Sequence, residues 1–267
     1  APEEKCKRKA GILAMILAID IGNTNIVIGC IKGDECIFVE RLSTVRTKTE
    51  LEYAFDIKNV LDLYHIKRTD LEGGIISSVV PQITTVAKLA VEKILKKEVL
   101  VVGAGIKTGL NIRIDNPAQL GSDLVVDSVA AIAEYPAPLL IFDMGTANTV
   151  CIINKKKNYI GGMIYPGIGV SLDSLTANAS QLGGISLEAP AHIIRKNTAD
   201  CVKSGTIYSA AAAIDGIIDR LGEELEGEAT VIATGGLAKK IVPHCRRKII
   251  LDDNLLLKGL SVIYRKN

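Results

Sequence analysis

A chain of 267 residues that is 48% hydrophobic and 23% charged is too apolar for a disordered or fibrous protein and long enough to divide into two lobes. Its 32 Lys and Arg nearly balance 30 Asp and Glu, so a net charge of +2 supplies no broad field for a polyanion or an anionic membrane surface. Aromatic residues are 4% with no Trp, which makes the core aliphatic and leaves little from which to build stacking platforms for nucleic-acid bases.

Residues 1–14, with the basic run Lys5 to Lys9, are expected to be a non-native or disordered leader, because the first strand-like run begins at Met15. The apolar stretch Ile12 to Ile19 stops at Asp20 and is too short for a membrane span, so a soluble, cytoplasmic protein with no membrane or nucleic-acid partner is expected. From Met15, MILAIDI, NIVIGCI and ECIFVERL are separated by turns at Gly22-Asn23-Thr24 and Lys32-Gly33-Asp34 and read as an antiparallel meander. Thr49 opens an amphipathic helix, Gly74 to Val79 is a buried strand, and Pro81 suits the first turn of a helix to about Lys96. Glu98 to Val102 is another strand, Thr108 to Pro117 a connection, and Leu124 to Ala133 a helix.

Then the opening pattern returns. PLLIFDMGTANTVCIIN is again an apolar strand, an Asp-x-Gly turn with Thr and Asn, and a second apolar strand; a third, Asn158 to Ile164, follows the turn at Lys155 to Lys157. A helix from about Ser204 to Leu221, a strand at Glu228 to Ala233, the turn Thr234-Gly235-Gly236, a helix from Leu237 and a short strand at Lys248 to Leu251 complete the reading. The six cysteines form no CxxC pair and the three histidines show no ligand spacing; Cys30 and Cys151 read as small core residues.

A strand that ends in Asp and turns through Gly puts a carboxylate beside backbone N–H groups that a phosphate can approach without Cβ interference. Asp supports a cation or its water shell, and the Thr hydroxyl adds a donor. DIGNT alone reads as an ordinary hairpin turn, since Asn and Gly are the favoured turn residues. Two such hairpins about half a chain apart, with ATGGLA after a late strand suiting a ribose or base, point instead to a nucleotide.

The arrangement resembles the actin, Hsp70 and sugar-kinase superfamily. Within it, DIGNTN at Asp20 to Asn25, ISSVVP at Ile76 to Pro81, NPAQLGSD at Asn116 to Asp123, DMGTAN at Asp143 to Asn148, GGMIYPG at Gly161 to Gly167, KNTADCVKSG at Lys196 to Gly205 and LLLKGL at Leu255 to Leu260 are similar, in order, to type III pantothenate kinase. The resemblance implies an α/β fold of two duplicated ribonuclease-H-like lobes, residues 15–116 and 117–267, with an ATP cleft between them. It implies ATP-dependent phosphorylation of pantothenate, the first step of coenzyme A biosynthesis, by a homodimer using ATP with Mg²⁺ and a monovalent cation, K⁺ or NH₄⁺. Asp20, Ile21, Gly22, Asn23, Thr24, Asn25, Ile26 and Val27 would hold the ATP phosphates, with Thr146 a further ATP contact. Asp123 would be the catalytic base, Gly121, Ser122, Asp123, Leu124 and Thr198 the pantothenate contacts, and Asp143 the monovalent-cation ligand.

Asp123 or Ser122 also reads as the cap of the helix that follows, and Asp127, one turn on, as a solvated or supporting residue. Leu124 stands where the family usually carries Arg, so a nearby Lys or Arg such as Arg113 or Lys196 replaces the guanidinium, or the substrate differs slightly, or the Arg of relatives serves structure. The alternatives are a nucleotide-binding transcriptional accessory protein of the same fold, or a kinase for a related small alcohol.

Overall fold

The three β-branched runs after Met15 form strands β1 (Met15–Ile21), β2 (Asn25–Lys32) and β3 (Glu35–Ser43) of an antiparallel meander in the computed structural model, which describes residues 15–178, 185–225 and 227–267. The expected leader 1–14 lies outside the described residues. Helix α1 (Glu50–Leu63) starts at a capping box: the Glu52 N–H donates to the Thr49 hydroxyl, and the Thr49 N–H donates back to the Glu52 carboxylate at 2.7 Å. Strand β4 (Leu71–Ser78) pairs parallel with β1, helix α2 (Pro81–Leu95) begins with Pro in its first turn, and β5 (Val99–Val101) pairs parallel with β4. The sheet order is β3-β2-β1-β4-β5. β1 is buried along almost its whole length, the pattern of a central strand covered on both faces. The core is aliphatic, with Leu17, Ile19 and Ile28 of the sheet packed on Ile57, Ile83 and Leu95 of the helices.

The second half repeats this plan. After β6 (Asn111–Ile112) and α3 (Ser122–Glu134) come the antiparallel strands β7 (Leu139–Met144), β8 (Ala147–Ile153) and β9 (Asn158–Pro166). Helices α4 (Ile168–Asn178) and α5 (Thr198–Glu224) follow, then β10 (Thr230–Thr234), α6 (Ala238–Ile241), β11 (Ile250–Leu251) and α7 (Leu255–Tyr264). The order is β11-β10-β7-β8-β9-β6; without the outer β6 it is the order of the first sheet. Two ribonuclease-H-like sheets built on one plan thus stand in the α/β chain, as the paired Asp-x-Gly turns predicted. Alternation along β7 sends Leu140, Phe142 and Met144 into a core with Ile207 and Ile214 of α5, while Leu139 and Ile141 enter another with Ala130 of α3 and Leu255 of α7.

Several elements differ from the sequence reading. The connection at Thr108 to Pro117 contains β6, which pairs parallel with β9 and is too short for any periodicity to reveal. Helix α5 begins at Thr198 rather than near Ser204, because Asn197 caps it by accepting the Asp200 N–H at 2.9 Å. Helices α4 and α7 were not anticipated; α7 is apolar almost throughout, so no helical stripe stands out. Of the two compact units, one runs up to Ile106 and takes in Leu260–Asn267, and the other is Lys107–Gly259. These limits depart from the expected division at 116/117. Pairing of β6 with β9 assigns the connection to the second unit, while Tyr264 against Gly73 and Arg265 bonded to Asp34 at 3.0 Å assign the last residues to the first.

The LLLKGL segment has a packing role: a Cβ on Gly259 would overlap the Val126 carbonyl oxygen of α3. Gly259→Ala is therefore expected to destabilise the protein by about 3 kcal/mol in urea denaturation, the upper range for forcing extra volume into a packed contact. Gly222→Ala, in α5 with open space around its Cα, should raise stability by up to about 1 kcal/mol. Equal effects of the two substitutions would contradict the close approach of α7 to α3.

Candidate active site

Within the first unit, the β1–β2 turn is strapped from the end of β3. The Gly22 N–H donates to the Asn25 carbonyl at 2.9 Å; the Thr44 N–H donates to the Thr24 carbonyl at 2.9 Å and the Thr44 hydroxyl to the Gly22 carbonyl at 2.7 Å. Ile21 and Ile26 are buried and anchor the turn in the core, so within the expected phosphate segment their side chains serve packing. Asn23, Thr24 and Asn25 form its exposed tip, and Val27 is half-buried. Asp20, also half-buried, lies beside Ser77 of β4 in the parallel ladder and opposite Val27 in the antiparallel one.

In the second unit, the β7–β8 turn is enclosed more tightly. The Gly145 N–H donates to the Ala147 carbonyl at 3.2 Å, and the Gly167 N–H donates to the Thr146 carbonyl at 3.0 Å. A Cβ on Gly167 would overlap the Gly145 carbonyl oxygen and lie 2.6 Å from that of Thr146, so only glycine lets the end of β9 close on the turn. Gly235, at φ +92, presses on the turn after β7: a Cβ there would overlap Asp143 Oδ1 and lie 2.7 Å from the Met144 carbonyl oxygen. The Leu237 N–H donates to that same carbonyl at 3.2 Å. The Thr234-Gly235-Gly236 turn, singled out as a nucleotide contact, therefore also walls in the Asp143 carboxylate, while Thr146 stays exposed.

Helix α3 begins at Ser122, so neither Ser122 nor Asp123 is its cap: Gly121 is the capping residue and Asp123 lies in the first turn. Asp123 Oδ1 accepts the Leu124 N–H at 2.8 Å and folds against Gly121. Burial pushes the Asp123 carboxyl above its ordinary range, against the pull of the backbone N–H groups. Asp143 keeps a little surface but its carboxylate is enclosed; burial first, and the nearby Asp123 charge second, push it up to about 7. The fold thus gathers two carboxylates of the expected site from separate elements. Behind them, Asp127 is fully buried rather than solvated, and its charge, after burial, raises the Cys151 thiol well above the ordinary thiol range. That thiol is unreactive core, as its place in a strand-like run implied.

Leu124 is 9% exposed and packs with Leu139, Ile141 and Leu255, so its side chain faces the core and its part near Asp123 is played by its backbone N–H. Gly121 and Ser122 are half-buried at the head of α3. Thr198 is exposed as the first residue of α5. Arg113 and Lys196 are both exposed. Sequence reasoning passed over Gly167 and Asn148: the first was visible only within GGMIYPG, and the second, 2% exposed, is a polar residue buried at the head of β8 where Asn reads as turn.

The model of the type III pantothenate kinase family matches residues 16–220. A type III pantothenate kinase of Exiguobacterium sp. is 45% identical over 95% of this chain and 99% of its own length, and one of Halalkalibacterium halodurans is 42% identical over 95% and 100%. Among solved structures, component A of the (R)-2-hydroxyglutaryl-CoA dehydratase of Acidaminococcus fermentans superposes with a TM-score of 0.57 at 16% identity, covering 94% of this chain and 97% of that one. The activator of the 2-hydroxyisocaproyl-CoA dehydratase of Clostridium difficile, with bound ADPNP, superposes with a TM-score of 0.56 at 12% identity, covering 94% and 93%. At these identities the two structures speak for the fold alone.

An acid that titrates at about 7 in the folded chain and near 3.9 unfolded binds more protons when folded, so its burial costs nothing below about pH 4 and its full amount above about pH 7. The stability of Asp143→Asn relative to the parent, measured by urea denaturation in low salt, should therefore rise between about pH 4.5 and 7 and level off above. A difference independent of pH would show that Asp143 is not held protonated by its surroundings.

Proposed function

The chain belongs to the type III pantothenate kinase family, and we propose that it catalyses ATP-dependent phosphorylation of pantothenate to 4'-phosphopantothenate, the first step of coenzyme A biosynthesis. The observation that carries this reading is the match over nearly the whole chain, joined to a half-buried Asp123 at a helix head near the enclosed Asp143. In the reaction the primary hydroxyl oxygen of pantothenate bonds to the γ-phosphorus, the bond from that phosphorus to the β–γ bridging oxygen breaks, and ADP leaves. Asp123 takes the hydroxyl proton at its carboxylate; burial raises its proton affinity towards that task. The exposed tip Asn23 to Asn25 receives phosphate oxygens, Gly22 keeps Cβ out of their way, and Thr146 contacts ATP from its own turn.

A divalent ion bound with ATP neutralises phosphate charge, and the Asp20 carboxylate at the strand end suits its water shell. The Asp143 carboxylate packs against the Gly235 backbone, and no Lys or Arg pairs with Asp143 among the described residues. An enclosed carboxylate without a paired basic side chain suits a cation, and we assign a monovalent one, K⁺ or NH₄⁺, to Asp143. Gly121 to Leu124 and Thr198 line the pantothenate site, with Leu124 offering backbone only. A homodimer is supported by Ile160, Met163, Ile164, Val170 and Leu175 of β9 and α4, which leave large apolar side chains exposed. Among the described residues no helix is long and apolar enough to cross a membrane, and a cytoplasmic location fits the coenzyme A pathway.

Purified protein with ATP, Mg²⁺ and K⁺ should release ADP only when pantothenate is added; turnover with another small alcohol and none with pantothenate would assign a different substrate. Asp123→Asn should lower kcat by about 10²–10⁴-fold while retaining nucleotide binding. Because the base must be ionised, the acid limb of the parent's kcat profile should lie above the ordinary carboxylate range. Ile164 is 73% exposed, so Ile164→Asp should leave the fold intact and convert the dimer to monomer in sedimentation; an unchanged dimer would place the interface elsewhere.

A further inference from the structure

A pocket of about 660 Å³ opens on the first unit, where the outer flank of α1, the loop that follows it and the last turn of α2 meet. Cavities of this size hold small organic ligands rather than a folded partner. Its walls are apolar, with Leu51, Phe55, Leu61, Ile66 and Ile94. Two of these are exposed although they line it: Leu51 is 52% and Phe55 57% exposed, one turn apart on α1, whose Tyr53, Ala54, Ile57, Val60 and Leu61 are buried. The rim is basic. Lys58 is paired with Asp62, and Lys93 with Glu50 at 2.6 Å. Lys67 and Arg68 line the same pocket, and neither has a carboxylate partner among the described residues. Their loop is set by the Lys67 N–H, which donates to the Asp70 carboxylate at 2.9 Å and opens the short turn Arg68–Asp70.

An apolar chamber alone gives no clue to its occupant, but one also lined by Lys67 and Arg68, neither of them paired with a carboxylate among the described residues, does. We propose that the pocket binds a small amphipathic anion, an alkyl chain ending in a carboxylate. The chain covers Leu51, Phe55 and Ile94, and the carboxylate is met by the Arg68 guanidinium and the Lys67 ammonium as charge-assisted hydrogen bonds. The near-zero net charge of the whole protein confines this attraction to the pocket and disfavours a polyanion. None of the residues involved takes part in the phosphoryl-transfer assignment, so the proposal stands or falls independently of it.

Isothermal titration calorimetry of the whole protein with octanoate tests it, with octanamide as the neutral chain of the same length. Saturable one-to-one binding of octanoate is expected, at least about tenfold weaker for the K67A/R68A double variant, with octanamide weaker on the parent by a similar factor. Phe55→Ser should weaken both ligands, and because all three side chains are exposed, circular dichroism of each variant should match the parent. No saturable heat with octanoate, equal affinity for octanamide, or unchanged octanoate binding by K67A/R68A would overturn the proposal. So would concentration-dependent self-association in sedimentation that Phe55→Ser abolishes, because a second copy would then be the occupant.

Discussion

Enclosing the Asp143 carboxylate against the backbone of Gly235 removes it from water with no side-chain cation among the described residues to offset the loss, and Asp123 adds a second negative charge nearby. A fold assembled for stability alone would place Leu or Val at that strand end, as it does at Leu139 to Phe142 just before it. Two glycines make the enclosure possible: a Cβ on Gly235 would overlap Asp143 Oδ1, and a Cβ on Gly167 would overlap the Gly145 carbonyl oxygen of the same turn. Ligands that bring positive charge then gain affinity from relieving the cost, which is how a strained site favours its occupied state.

The duplicated sheets make that arrangement intelligible as a division of labour. Both carry the same strand order and the same Asp-x-Gly turn, yet the two turns are held differently. Thr44 straps the first turn by hydrogen bonds and leaves Asn23, Thr24 and Asn25 exposed, a geometry suited to receiving oxygens of a ligand. Glycine contacts pack the second, leaving Asp143 enclosed and Thr146 exposed, a geometry suited to fixing charge near Asp123. Duplication supplied two copies of one hairpin, and local packing gave them different chemistry.

Position 124 shows how a departure from a family pattern reads differently once packing is known. In sequence, Leu124 removes a guanidinium beside the carboxylate proposed as the base. In the fold, its side chain completes the apolar cluster between α3, β7 and α7, and its N–H holds the Asp123 carboxylate at 2.8 Å. The backbone contribution survives any substitution except Pro, whereas a carboxylate of the substrate must be met by another donor.

The sequence by itself determined the α/β class, the three-strand meander after Met15, its recurrence at Leu139, and the two Asp-x-Gly turns, because strand alternation and turn chemistry are local. It also determined the family, through ordered segments spread along the chain. Tertiary structure decided what no local pattern encodes: that the two-residue β6 joins β9, that α5 starts at Thr198, that Asp127 is buried rather than solvated, and that Leu124 faces the core. The enclosure of Asp143 belongs to the same group, since Gly235 lies far along the chain and reaches it only when β10 pairs with β7. A carboxylate's charge state depends on how much water and which charges surround it, and those neighbours are assembled only by long-range packing.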